Sequence, residues 1–189
     1  MASTQKPIAL LSLWSQPGRA INELNQAGRG HMAALVVAAA FGLVQSGRVY
    51  LSANDAGPRT LFVGMVGGIC GLYLFAWLLR NFARWFGGGA PLVSVRVAIG
   101  LALLPWTLLF GMLIFAVTGA ENAEHLERFY PLFFAGFVYG YVILLLALAA
   151  ALQLSVLRAF FCLLFTALVS YVPLALLVEF ASLFTGTNP

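Results

Sequence analysis

The chain has 189 residues, 62% of them hydrophobic and only 8% charged, with a formal net charge of +4. A soluble domain carries about 25% charged residues, so this composition excludes a chain that covers itself with a water-facing surface. Several runs reach the roughly 18 to 20 apolar residues that cross a bilayer as helix, and they are apolar all round rather than alternating, which argues against barrel strands. The fold class expected is therefore all-α: a polytopic transmembrane helical bundle.

In chain order, residues 1–30 read as a cytoplasmic N-terminal segment. Ser15-Gln-Pro17 carries a helix-start pattern, an N-cap serine with proline in the first turn. Ala20, Ile21, Leu24 and Ala27 then share a face, so an amphipathic helix lying in the membrane interface is expected, with a soluble helix packed on the loops as the alternative. The apolar stretch before it, Ile8 to Leu13, is short and lacks a small-x-small cleavage site, so it is not read as a signal peptide.

Residues 31–184 hold five predicted spans: His31–Ser46, Thr60–Leu79, Val97–Val117, Pro131–Leu152 and Ala159–Val178. The second contains Gly64, Gly67, Gly68 and Gly71, giving two GxxxG spacings. Such spacing lets another backbone approach closely. Pro105 falls inside the third span and Pro173 inside the fifth, where proline removes a helix hydrogen bond and bends the segment. Thr118–Phe129 reads as an acidic loop. The fourth span carries a further GxxxG pair, Gly136 and Gly140. Residues 185–189 form a polar tail.

The most informative stretch lies between spans two and three. Arg80 and Arg84 are one helical turn apart, Trp85 follows at a depth suited to indole rings, Gly87 and Gly88 break the helix, and Pro91 blocks immediate re-entry. With five spans, one side of the membrane receives Lys6, Arg19, Arg29, Arg80, Arg84, Arg96 and Arg158; the other receives Arg48, Arg59 and Arg128. Seven against three places the N-terminus in the cytoplasm and the C-terminus across the membrane.

Chemistry-bearing groups are sparse. Carriers and pumps place Asp, Glu or His at membrane depth; here Glu179 is the only candidate, and it falls at the end of a span. His31 and His125 sit at boundaries or in loops without metal-ligand spacing, and Cys70 and Cys162 have no CxxC partner, so no metal and no cofactor is expected. Glu121, Glu124 and Glu127 recur every third residue and read as a solvated loop, divalent-cation binding being the sharper alternative. Gly87–Gly89 lacks the ending of a phosphate loop. Arg80, Arg84 and Arg96 could instead hold anionic lipid headgroups, against plain anchoring. Tyr73, Tyr139, Tyr141 and Tyr171, with Thr107, Thr166 and Ser170, could line a small polar cavity or bond within the bundle.

Trp14-x-x-Pro17-x-x-Ala20-Ile21 before the first span, Phe86-Gly87-Gly88 before the third, the mid-span Pro105, and Ser155-x-x-Arg158-Ala159 opening the last span together resemble the Yip1 domain family in its short bacterial form, over about Trp14 to Leu177. The resemblance implies a multi-pass protein of the bacterial inner membrane with no catalytic residues to carry over. Eukaryotic members act in ER-to-Golgi transport and bind Rab GTPases; this sequence shows neither their long cytoplasmic domain nor the Asp-Leu-x-Gly-Pro-type segment, so such a partner is not expected. A non-enzymatic scaffold, accessory subunit or membrane-organising factor is the function expected. It would work through lipids and other membrane proteins or self-association, not nucleic acid. The residues backed as sites are Trp14, Pro17, Arg80, Arg84, Trp85, Arg96 and Arg158 at headgroups or the interface, Gly87, Gly88, Pro105 and Pro173 at turns and kinks, and Gly64, Gly68, Gly71, Gly136 and Gly140 in packing. A small permease or lipid-translocating protein is the alternative, and a membrane enzyme on phosphate-bearing lipids a distant third.

Overall fold

The computed structural model describes Glu23 and residues 30–52, 57–119 and 123–185, with side chains described at Glu23 and over 30–51, 57–118 and 129–171. Trp14, Pro17, the amphipathic segment apart from Glu23, and the polar tail apart from Thr185 lie outside these residues, as do the side chains of His125, Glu124, Glu127, Pro173 and Glu179.

Every regular element described is helix: α1 (Gly30–Ser52), α2 (Arg59–Trp85), α3 (Leu92–Ala102), α4 (Leu104–Gly119), α5 (Ala123–Leu152) and α6 (Val156–Thr185). α3 and α4 run on as one apolar crossing, Leu92–Thr118, so four helical segments are long and apolar enough to span a membrane: this one, α1, α2 and α5. The described part of α6, Val156–Tyr171, is a shorter apolar helix. A helical membrane bundle is thus the architecture, with four helices of spanning length and a shorter apolar helix beside them. Large apolar side chains cover its outside, among them Phe62, Met112, Phe115, Phe134 and Leu168. Such a surface is at ease only in lipid.

The helices run past the expected spans: α2 reaches Trp85 and not Leu79, α3 starts at Leu92 and not Val97, and α6 covers Val156–Thr185 where Ala159–Val178 was expected. Three further differences bear on the fold. α1 continues to Ser52, past the expected end at Ser46. α5 starts at Ala123 and carries Pro131 inside it, so much of the expected acidic loop is helix. Proline forfeits one backbone hydrogen bond, and the apolar run on its C-terminal side supplies the packing that keeps the helix continuous. The bend expected at Pro105 takes the form of a one-residue interruption at Leu103: α3 stops at Ala102, and α4 begins at Leu104. Pro105 has no N–H to offer the Leu101 carbonyl, while the helix bonds on either side persist: Leu103 N–H is shared between the Ile99 and Gly100 carbonyls, and the Leu103 carbonyl accepts from Thr107 through its amide at 2.8 Å and its hydroxyl at 2.9 Å.

The interruption separates two environments. α3 is the hub, buried from Val97 through Ala102 and packed against α1, α2 and α5. α4 leaves the centre and exposes Leu108, Met112 and Phe115. The core is built of small residues beside leucines: Ala34, Ala38, Ala76, Ala83, Ala98, Ala102, Ala147 and Ala151 around Leu79, Leu101, Leu148 and Leu152. Without a hydrophobic drive between helices in lipid, close backbone approach supplies the attraction. The closest approach is between α1 and α2. A Cβ on Gly68 would collide with the Ala38 carbonyl oxygen, and one on Gly64 with Ser46. Gly100 of α3 likewise lies against Ala34 of α1.

Candidate functional site

The α2–α3 turn is locked by backbone and side chain together. Gly88 N–H donates to Ala83 O at 2.8 Å and Gly87 N–H to Arg84 O at 3.1 Å. This is the paired pattern of a helix ended by a left-handed residue, and Gly87 supplies it with φ of 85°. Gly88 is held between Ala83 and the Leu152 carbonyl, so the turn also rests on the end of α5. Arg80 reaches across the turn and donates from Nε to Ala90 O at 3.3 Å.

The sequence-selected residues therefore part company. Arg80 is a strut within the turn. Arg84 is exposed, and Trp85 is 73% exposed while its ring still meets Phe82 and Phe165. Arg158 is exposed at the start of α6, where its N–H faces the Ser155 hydroxyl. Arg96 lies elsewhere, partly buried in α3, with its guanidinium carbon 4.7 Å from the centre of the Tyr73 ring.

Tyr73 joins Arg96 to His31, which the sequence places at a span boundary. Its hydroxyl lies 3.4 Å from His31 Nε2, and the two rings meet edge-on with centroids 6.3 Å apart. His31 is partly buried, with Nδ1 shielded from solvent. The sequence offered no spacing that relates positions 31, 73 and 96; only the packing of α1, α2 and α3 brings them together. One signal was available on α2: Tyr73, Trp77, Arg80 and Arg84 fall within an arc of about 60° over about 16 Å of helix, so they form one polar-aromatic face.

The packing glycines also divide. Gly64 and Gly68 face α1, while Gly67 and Gly71 have nothing within 4 Å where a Cβ would stand. Gly71 therefore does not serve packing within the chain; its side of α2 turns away from α1. Gly136 and Gly140 of α5 lie against Leu109 and Trp106 of α4, and the Trp106 indole stacks on Phe137 at 5.1 Å. Gly42 and Gly100 were not singled out from sequence. The run Ala34, Ala38, Gly42, Ser46 at four-residue spacing is the signal that finds the α1 half of this contact.

The in-span hydroxyls do not converge on a cavity. Thr166 donates to Cys162 O and Ser170 to Thr166 O, both at 2.7 Å, and Ser46 donates to Leu43 O. Tyr73, Tyr139 and Tyr171 are exposed on the outside. Two clefts open between helices at the end of the bundle away from the α2–α3 turn. One of about 700 Å³ lies between α1 and α4, walled by Val49, Leu51, Leu113, Ile114 and Val117 with Gln45 and Arg48 at its polar edge; another of about 300 Å³, walled by aromatic and leucine side chains, lies between α4 and α5. Among the described residues no three His, Cys, Asp or Glu side chains gather as metal ligands.

A family model described as the Yip1 domain matches residues 11–177. No curated protein and no solved structure matches the chain.

Proposed function

This chain belongs to the Yip1 domain family, and from that premise we propose that it is a non-enzymatic membrane-organising protein, acting as a scaffold or accessory subunit through helix–helix and lipid contacts. The observation that carries the reading is the dry interior. The buried polar side chains described, Ser46 and Thr166, donate to carbonyls of their own helices. Helix backbones approach too closely at Gly42, Gly64, Gly68 and Gly100 for a path between them. A carrier needs polar groups that converge along a route, and the clefts described are walled mainly by apolar residues.

In this reading the protein resides in the bacterial inner membrane. Its N-terminus and the α2–α3 turn face the cytoplasm, since seven of the ten basic residues fall on that side. Exposed Arg84, Trp85 and Arg158 anchor that end among headgroups, the arginines to anionic lipid. The C-terminus lies on the far side.

Reconstitution into vesicles tests it. Fluorescent-lipid scrambling and small-solute efflux are expected to equal those of protein-free vesicles. Flux above that background would replace the scaffold with the permease reading. Protease protection of terminal tags should find the two ends on opposite faces, and tags on the same face would overturn the orientation.

A further inference from the structure

The His31–Tyr73–Arg96 cluster takes no part in the close helix packing. Two of its nitrogens, Arg96 Nε and His31 Nδ1, are buried without a hydrogen-bond partner. Arg96 Nε always carries a proton and is a donor only. The state of the other follows the His31 tautomer, and so which partner donates in the Tyr73–His31 contact. When Tyr73 O–H donates to His31 Nε2, the neutral ring keeps its proton on Nδ1; in the imidazolium both nitrogens carry one. Both orphan atoms are then N–H donors facing no acceptor, and a buried donor left unmatched is costly.

The charge is unmatched as well. The Tyr73 ring offers the Arg96 guanidinium a negative face, but it is no counter-ion. Among the described residues no ion pair joins Arg96, and the one carboxylate with a described side chain, Glu23, is exposed. A guanidinium drawn out of water needs an anion or a set of acceptors beside it.

We propose that His31, Tyr73 and Arg96 form a binding site for an anionic phosphate group, a chemistry shared by a phospholipid headgroup and free phosphate. An oxyanion accepts hydrogen bonds only, so it answers both orphan donors and the charge at once. The surroundings favour the lipid source. Tyr73 and Trp77 are 39% and 51% exposed, so the cluster opens sideways along α2 rather than into a closed cavity. Arg96 is four residues into α3, about 6 Å along its axis, a depth a headgroup reaches when a long side chain meets it. On the same α2 face, Arg80 is engaged by Ala90 O while Arg84 is exposed, so attraction for an anion runs from the helix end inward. The site rests on the bilayer location and not on the scaffold assignment, so lipid flux would refute that assignment and leave this site standing.

The test uses the full chain in detergent, with native mass spectrometry reading retained phosphatidylglycerol against phosphatidylcholine, and thermal melting reading the response to inorganic phosphate. Phosphatidylglycerol retention is expected to fall about tenfold or more in Arg96→Gln and in His31→Ala. Tyr73→Phe, which keeps the ring and loses only the hydroxyl, should lower it about threefold and guards against misfolding of the other variants. Arg59→Ala, exposed at the opposite end of α2, should stay within about twofold. A phosphate-induced rise in melting temperature that Arg96→Gln abolishes would assign the site to free phosphate, and loss of lipid retention alone assigns it to a headgroup. The proposal is overturned if neither readout changes in the three cluster variants, or if Arg59→Ala lowers retention as much as Arg96→Gln.

Discussion

Two glycines three residues apart on α2 should respond oppositely to the same added methyl group. A Cβ on Gly68 would meet the Ala38 carbonyl oxygen, with Gly42 Cα at 3.0 Å and Gly42 N at 3.1 Å. All three are backbone atoms, so no rotamer change relieves the collision. The helices must separate instead, and a gap of even 0.5 to 1 Å forfeits a quarter to a half of each dispersion contact along the seam. In lipid the added methyl gains no transfer from water to offset this, so overpacking is expected to leave Gly68→Ala destabilised by about 1–3 kcal/mol. Gly71→Ala places its methyl where nothing lies within 4 Å. The unfolded state in a micelle keeps its helices, so helix propensity largely cancels, and the change should stay within about 0.5 kcal/mol. Reversible unfolding in mixed micelles titrated with dodecyl sulfate, followed by tryptophan fluorescence, reads both. If the two variants unfold at the same midpoint, the α1–α2 seam is not where close backbone contact holds the bundle together.

Gln153, at φ of 58°, ends α5 in the left-handed region that glycine occupies after α2, with Leu154 N–H closing on Ala149 O at 3.0 Å; Gln153→Gly should raise stability by about 0.5–1 kcal/mol in the same unfolding assay. Arg80→Ala removes the donor to Ala90 O, so amide exchange across residues 86–91 should quicken about tenfold while the α1–α2 seam stays protected. Gly140→Ala drives a methyl into the Trp106 indole, which stacks on Phe137; a shift in tryptophan emission, absent in the Trp106→Phe background, should report the displaced ring, with a cost of about 1–3 kcal/mol. An unshifted spectrum would place α4 farther from α5 than described.

Much of the layout was legible because membrane segments announce themselves by composition. The apolar runs, the helix-breaking pair Gly87-Gly88 and the proline at 105 each act through local chemistry, and each marks a feature of the fold at its own position in the chain. What depends on which way a helix faces was not legible. Gly64, Gly67, Gly68 and Gly71 are alike as sequence, and their spacing permits either seam. The rotation of α2 against α1 decides that Gly64 and Gly68 make contact and Gly67 and Gly71 do not. The arginines carry the same lesson: Arg80, Arg84 and Arg96 share charge and neighbourhood, but a carbonyl, open surroundings and a tyrosine ring give them three different circumstances.

By itself, then, the amino-acid order determined that this chain is helical, crosses a bilayer several times and turns sharply after Trp85, because lipid demands internally satisfied backbone and apolar side chains along each crossing. Only the tertiary structure decided that α3 is the hub, that the helices meet through particular glycines, and that His31, Tyr73 and Arg96 become neighbours. Those outcomes depend on helix rotation and on contacts between residues far apart in the chain, such as the 66 positions that separate Gly100 from Ala34, for which no local spacing carries a signal.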